Sequence, residues 1–120
     1  MKPLAYRPPA DDKGEFLPWL NDLRNQSGAY IIRNRDSGAV LYVGESHTGN
    51  LAKTIKRHFY PWKVKGFFSE KFAGNVYQRG RVEIAVRITP PGSSAIGAQN
   101  NLINRLNPRD NILGFEPEPF

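Results

Sequence analysis

Two tyrosines, Tyr30 and Tyr42, stand at mirrored places in residues 28–44, GAYIIRNRDSGAVLYVG, each two residues from a glycine. A tyrosine hydroxyl donates and accepts hydrogen bonds. It serves as a general base only where nearby positive charge pulls its pKa down from about 10. The elements that carry the pair decide whether the rings meet. Two apolar runs, AYIIRN and AVLYVG, flank the turn cluster Arg35-Asp36-Ser37-Gly38. Their β-branched and aromatic content is a hairpin signal. With Asp36-Ser37-Gly38 as a three-residue loop, Gly38 takes the left-handed position of a type I turn plus bulge. Arg35 then faces Ala39, and even-numbered residues of both strands share one face. A two-residue loop on Asp36-Ser37 would put the tyrosines on opposite faces. The bulged form is preferred because it gives Gly38 a reason to be glycine. By itself the pair is also ordinary strand packing, with hydroxyls at the rim.

The surrounding pattern is more specific. Gly28-Ala29-Tyr30, eleven intervening residues, then Tyr42-Val43-Gly44 resembles the signature of the GIY-YIG nuclease superfamily. Leu51, Thr54, Ile55 and His58 sit at the spacing of that family's helix motif, Leu-x-x-Arg-Ile-x-x-His. Ala95, Gln99, Leu102-Ile103, Asn107-Pro108 and Asn111 match its Ala-x-x-x-Glu-x-x-Leu-Ile...Asn-Pro-x-x-Asn segment. The resemblance covers residues 28–111 and implies phosphodiester hydrolysis at one divalent cation, Mg²⁺ or Mn²⁺. It implies that a tyrosine and a bound water handle the nucleophile's proton, an arginine steadies the phosphate, and a glutamate holds the metal. Developing phosphoryl charge needs such a cation and fixed donors.

Carried over residue by residue, the tyrosine roles fall on Tyr30 and Tyr42. Gly44 allows close backbone approach. His58 would bond a phosphate oxygen or a tyrosine hydroxyl, and Asn111 would orient a phosphate or a metal-bound water. Helix histidines and turn asparagines are commonly structural, which is the plainer reading of both. Two positions depart from the family. Thr54 stands where the arginine belongs, and threonine cannot supply a charged fork. Arg57 or Lys53 on the same helix would have to substitute. Gln99 stands at the metal carboxylate, and hard cations favour carboxylates. Either another carboxylate serves, with Glu45 and Glu83 the candidates, or metal binding is weak, or the chain is inactive.

Around these blocks the chain reads as one domain. Residues 1–14, with Pro3, Pro8 and Pro9, look like an extended arm, and Arg7 on it would lie on a phosphate or in water. Residues 15–113 look like the domain, and 114–120 like an irregular tail. Phe16, Trp19, Leu20 and Leu23 predict a helix over 15–25, with Pro18 in its first turn. Leu51, Ala52, Ile55 and Phe59 predict a helix over 51–60, capped by Asn50. Residues 61–81 mix Lys63, Lys65, Lys71, Arg79 and Arg81 with Trp62, Phe67, Phe68, Phe72 and Tyr77 and read as irregular. Such mixing suits a groove that tracks phosphates and stacks bases, or a connector whose aromatics fold onto the core. Val82, Ile84, Val86 and Ile88 alternate with polar residues as a third strand. Ser93 or Ser94 caps a last helix running to about Leu106, with Gln99 in its inner stripe. The tyrosine face is the nearest polar surface that this order offers Gln99. The expected fold is α+β: a small three-stranded antiparallel sheet flanked by helices.

Composition fits this reading. The 120 residues, 39% hydrophobic, suffice for one modest core. No apolar run approaches a membrane span and no secretory h-region is present, so a cytoplasmic protein is expected. The absence of cysteine excludes disulfides, thiolate zinc sites and a cysteine nucleophile. A net charge of +6 favours a polyanionic partner, most simply nucleic acid and DNA before RNA. Lys53, Lys56, Lys63, Lys65 and Arg79 are the expected phosphate contacts. The leading expectation is a metal-dependent endonuclease. Its rivals are a non-cleaving nucleic-acid-binding module on the same fold and a basic interaction domain with a chance motif.

Overall fold

A computed structural model of the chain describes residues 4–60, 63–65, 70–72 and 77–112. Strand β1 (Ser27–Asn34) pairs antiparallel with β2 (Val40–Ser46) on one side and β5 (Val82–Thr89) on the other. β1 is therefore the middle strand, and its Ser27 to Ile32 stretch is buried on both faces. Tyr30 stands opposite Gly44 and Ile32 opposite Tyr42, so both tyrosines project to one face as expected.

The hairpin tip closes differently. The Asn34 N–H donates to the Ala39 carbonyl at 2.8 Å, leaving a four-residue loop instead of three. The Asn34 side-chain oxygen accepts from the Asp36 and Ser37 amides at 2.9 and 3.0 Å, an Asx turn that organises the tip. Gly38 is left-handed as expected, at φ 75°. Arg33 faces Val40, so the register slips by one between Ile32 and Arg33. The bulge at Leu41 absorbs that slip, and the tyrosines keep their shared face.

The sheet separates two apolar layers. Ala29, Ile31, Val43 and Ala85 pack under Leu102, Ile103 and Leu106 of helix α3 (Ser93–Leu106). On the other face Tyr30, Ile32, Tyr42 and Ile84 pack against Leu51, Ile55 and Phe59 of helix α2 (Leu51–Arg57) and the turn after it. Leu20 of the one-turn helix α1 (Pro18–Asn21) closes that side. This is the expected α+β architecture.

Several local expectations shift. The predicted 15–25 helix shrinks to α1 because Phe16 and Leu17 are tied to the arm, Leu17 N–H donating to the Pro9 carbonyl at 2.9 Å. Pro18 opens α1, where its missing N–H costs nothing. α2 ends at Arg57, and His58, Phe59 and Tyr60 continue as tighter turns bonded three residues back. Asn50 precedes α2, but its side chain bonds Thr48, not the helix. α3 starts at Ser93 behind Gly92, so neither serine caps it by side chain. Asn107 ends α3 in the left-handed conformation, its N–H bonding the Ile103 carbonyl at 2.9 Å. Within 61–81 a small antiparallel ribbon pairs β3 (Lys63–Lys65) with β4 (Glu70–Phe72), followed by a 3₁₀ turn at Arg79–Arg81. Helix α4 (Arg109–Ile112) carries Asn111. The arm lies along β5, with Arg7 and Ile84 exchanging backbone hydrogen bonds at 2.9 and 2.8 Å. This covers part of an open sheet edge. Arg7 lies 5.7 Å from the Trp19 ring centroid. The expected tail at 114–120 falls outside the described residues.

Both motif glycines answer to packing. A Cβ on Gly44 would overlap the Tyr30 ring and hydroxyl, and one on Gly28 would overlap the Arg87 carbonyl. Tyr30 is a side chain and can yield at the expense of its His58 bond, whereas the β5 backbone is fixed by its ladder to β1. Gly28→Ala should therefore destabilise by about 1–3 kcal/mol or more, through overpacking. It should lower Tm more than Gly44→Ala does. Melting curves of the two variants check this, and the reverse order would contradict it.

Candidate functional site

The sheet face under α2 holds a cluster of polar rings. The Tyr30 hydroxyl and His58 Nε2 are 2.6 Å apart, and both groups are buried. The Tyr42 ring centroid lies 4.6 Å from that of His58 and 6.2 Å from that of Tyr30. The cluster forms because Tyr30 and Tyr42 share a face and the turn after α2 lowers His58 onto them. Gly44 opposite Tyr30 leaves room for the ring. Tyr30, Tyr42, His58 and Gly44, picked out by spacing, are thus brought together.

Two further groups complete the cluster. The Tyr77 N–H donates to the His58 carbonyl at 2.9 Å, and its ring centroid is 5.9 Å from that of His58. Its hydroxyl donates to Asp110 Oδ2, and Asp110 is fully buried. Arg109 Nε donates to Asp110 Oδ1 at 2.7 Å. Burial pushes the Tyr77 pKa well above the ordinary tyrosine value, and the Asp110 hydrogen bond adds to the rise. Tyr77 is therefore a fixed donor at neutral pH. Nothing in the spacing marked Tyr77, which lies in the stretch without periodicity. Asp110 had one available signal, its place inside the matched Asn-Pro-x-x-Asn block.

Other candidates go elsewhere. Asn111 Oδ1 accepts from the Val43 N–H and its Nδ2 donates to the Val43 carbonyl, both at 2.8 Å. Both ends of its amide are spent on the outer edge of β2. Thr54 is buried, and its hydroxyl has no hydrogen-bond partner among the described residues. Arg57 is buried down to its guanidinium, in the wall of a hollow of about 430 Å³ beside α2 that Arg24, Ala52, Lys53, Lys56 and Tyr60 also line. Lys56 Nζ also donates to the Asn21 side-chain oxygen at 2.6 Å. Arg79 is held by protein: Nη1 donates to the Gly14 carbonyl and Nη2 to the Tyr60 hydroxyl, each at 2.6 Å. The side chains of Lys63 and Lys65 lie outside the described residues.

The metal candidates stand on the opposite face of the sheet from the tyrosines. Glu45 pairs with Ala29, so it points to the α3 side, as does Gln99 between Ala95 and Leu102 on the helix. The expected meeting of Gln99 with the tyrosine face is not what the fold builds, because α3 covers the odd-numbered face of β1. The donor set does not fit a divalent cation. Glu45 is engaged by His47 Nδ1 at 3.0 and 3.1 Å. Glu83 is paired with Arg33 at 2.8 Å, and Asp110 with Tyr77 and Arg109. Gln99 brings no charge. Among the described residues no three histidines or carboxylates converge.

No family model matches the chain. It is similar to the UvrABC system protein C of Francisella tularensis subsp. holarctica, 32% identical over 99 residues. The proteins of that name from F. tularensis subsp. novicida and subsp. tularensis match at the same 32%. In each case the match takes in 82% of this chain and 15% of the relative. The chain therefore spans a small part of the relatives' length. Ninety-nine residues of 120 necessarily include both the tyrosine hairpin and α2.

Tyr77 gives the cluster a pH signature. Below pH 10 folded and unfolded chains both hold the phenolic proton, and its contribution to stability is fully present. Above about pH 10 the unfolded chain releases the proton while the folded chain retains it. Stability should then fall by about 1.4 kcal/mol per pH unit from this group. Tyr77→Phe should lack that component. Denaturant unfolding of both proteins across the alkaline range checks this, and identical slopes would place Tyr77 outside the buried pair.

Proposed function

From a chain that belongs to the GIY-YIG nuclease superfamily, we propose a nucleic-acid-binding domain that takes its ligand, DNA in the first place, along the outer face of α2. The observation that carries this reading is the hollow at whose surface Arg24, Lys53 and Lys56 stand. A groove lined by one sign of charge concentrates polyanions, and phosphate contacts dominate nucleic-acid affinity. Net charge of the whole chain points the same way. No helix among the described residues is long and apolar enough to cross a membrane.

On this reading the tyrosine cluster is a relic of phosphodiester chemistry that now braces α2. The family arginine is replaced by a buried threonine and the carboxylate by an amide, so the charges that cleavage needs are absent. A second reading, metal-dependent endonuclease, draws on one specific observation: Tyr30, His58 and Tyr42 remain assembled. Mg²⁺ or Mn²⁺ would then be supplied with ligands by residues other than those found engaged above.

Three experiments test the two readings. In salt titrations, Lys53→Ala with Lys56→Ala should weaken DNA binding and reduce the slope of log K against log salt by about 1.4 to 1.8, two phosphate contacts' worth. An unchanged slope would move the groove elsewhere. In nicking assays with Mg²⁺ or Mn²⁺ the wild-type chain should be inactive. Gln99→Glu tests the lost ligand. If α3 once held the metal, Mn²⁺ should raise the Tm of this variant, by mass action on the folded state, and leave the wild-type Tm unchanged. Wild-type nicking would overturn the non-cleaving reading.

A further inference from the structure

In the wall of the basic hollow stands Tyr60, a large side chain left half exposed, at 50%, as few are among the described residues. Its placement is fixed by three contacts. Arg79 Nη2 donates to its hydroxyl at 2.6 Å, and the Arg79 guanidinium lies 5.1 Å from the ring centroid. The Phe16 ring meets it edge-on at 6.2 Å. Arg79 is itself clamped, 3.8 Å over the Phe16 ring and bonded to the Gly14 carbonyl. The hydroxyl of Tyr60 is therefore spent within the protein, and half of the side chain remains exposed to a ligand.

We propose that Tyr60 is a base-stacking platform and that the preferred ligand of this surface is single-stranded nucleic acid. The inference rests on the binding function proposed above and narrows it to a substrate class. A duplex hides its base faces within its own stack, so it can offer the hollow only phosphates. A single strand offers phosphates to Arg24, Lys53 and Lys56 and an unpaired base to the neighbouring ring. Cationic grooves with a rigid aromatic at the edge bind single strands in this manner, with tolerance of sequence, because every base has a π-face. Arg79 acts as a positioning residue, holding the ring upright rather than touching phosphate.

The test compares one oligonucleotide, as DNA and as RNA, single-stranded and annealed to its complement, at matched salt. Wild type should bind the single strand at least tenfold more tightly than the duplex. Tyr60→Ala should lose roughly 5- to 150-fold on the single strand, the range for one stacked base, and little on the duplex. Tyr60→Phe should stay within a few-fold of wild type, whereas Tyr60→Leu, equally apolar but without a π-face, should behave like the alanine variant. A 2-aminopurine in the strand should be quenched by wild type and the phenylalanine variant only. Equal wild-type affinity for both forms, or single-strand affinity indifferent to Tyr60→Ala and Tyr60→Leu, overturns the stacking proposal and leaves the binding function standing. Failure to retain any of the four ligands overturns the binding function itself.

Discussion

The hydrogen bond between Tyr30 and His58 ties the sheet of this molecule to the layer above it. It joins the middle strand of the sheet to the turn after α2 inside the core, where an unpartnered hydroxyl or imidazole would be costly. Its 2.6 Å length allows little tolerance in how α2 sits on the sheet. That seat explains why Gly44 lacks a side chain, why the Tyr42 ring meets the imidazole, and why Ile55 and Leu51 reach the same layer. It also decides what the helix shows to solvent. With Thr54, Ile55 and His58 turned inward, Lys53 and Tyr60 are turned out.

The sheet then acts as a partition. Rings that resemble a nuclease site lie beneath α2, whereas Glu45 and Gln99 lie on the α3 side. A phosphoryl group needs its base, its cation and its charge clamp within a few ångströms of one another. Here the carboxylates that might contribute already have partners where they stand: Glu45 bonds the His47 ring, Glu83 pairs with Arg33, and Asp110 accepts from Tyr77 and Arg109. The buried phenol of Tyr77, held protonated by its surroundings, adds a donor where catalysis would want a base. The surface of α2 carries the exposed Lys53 and the half-buried Lys56, and phosphate binding draws on cations close to solvent.

Much of this was legible in the sequence. The apolar β-branched and aromatic runs around the 35–38 turn, the alternation in 82–89 and the helical stripes specify the sheet and its covering layers. The shared face of Tyr30 and Tyr42 followed from the parity of the hairpin. What local patterns could not supply was the four-residue tip, because Asn34 uses its side chain to close the loop, and the Leu41 bulge that restores parity. Short α1 was unreadable for a related reason. Its apolar stripe is real, but the arm competes for the backbone of Phe16 and Leu17. Asn111 and Arg79 are held by protein partners, one stapled to Val43 and the other to Tyr60. Such pairings depend on residues far apart in the chain, which spacing does not encode. Tyr77 and Asp110 were hidden for the same reason.

In the proposed function nucleic acid lies on the outer face of α2 and not at Glu45 and Gln99. Amide chemical-shift mapping with an isotope-labelled chain and a short oligonucleotide tests this directly. Salt-sensitive perturbations should cluster at Arg24, at 52–60 and at Arg79, with Glu45, His47 and Gln99 unmoved. Perturbations centred on Glu45 and α3, with α2 silent, would contradict it.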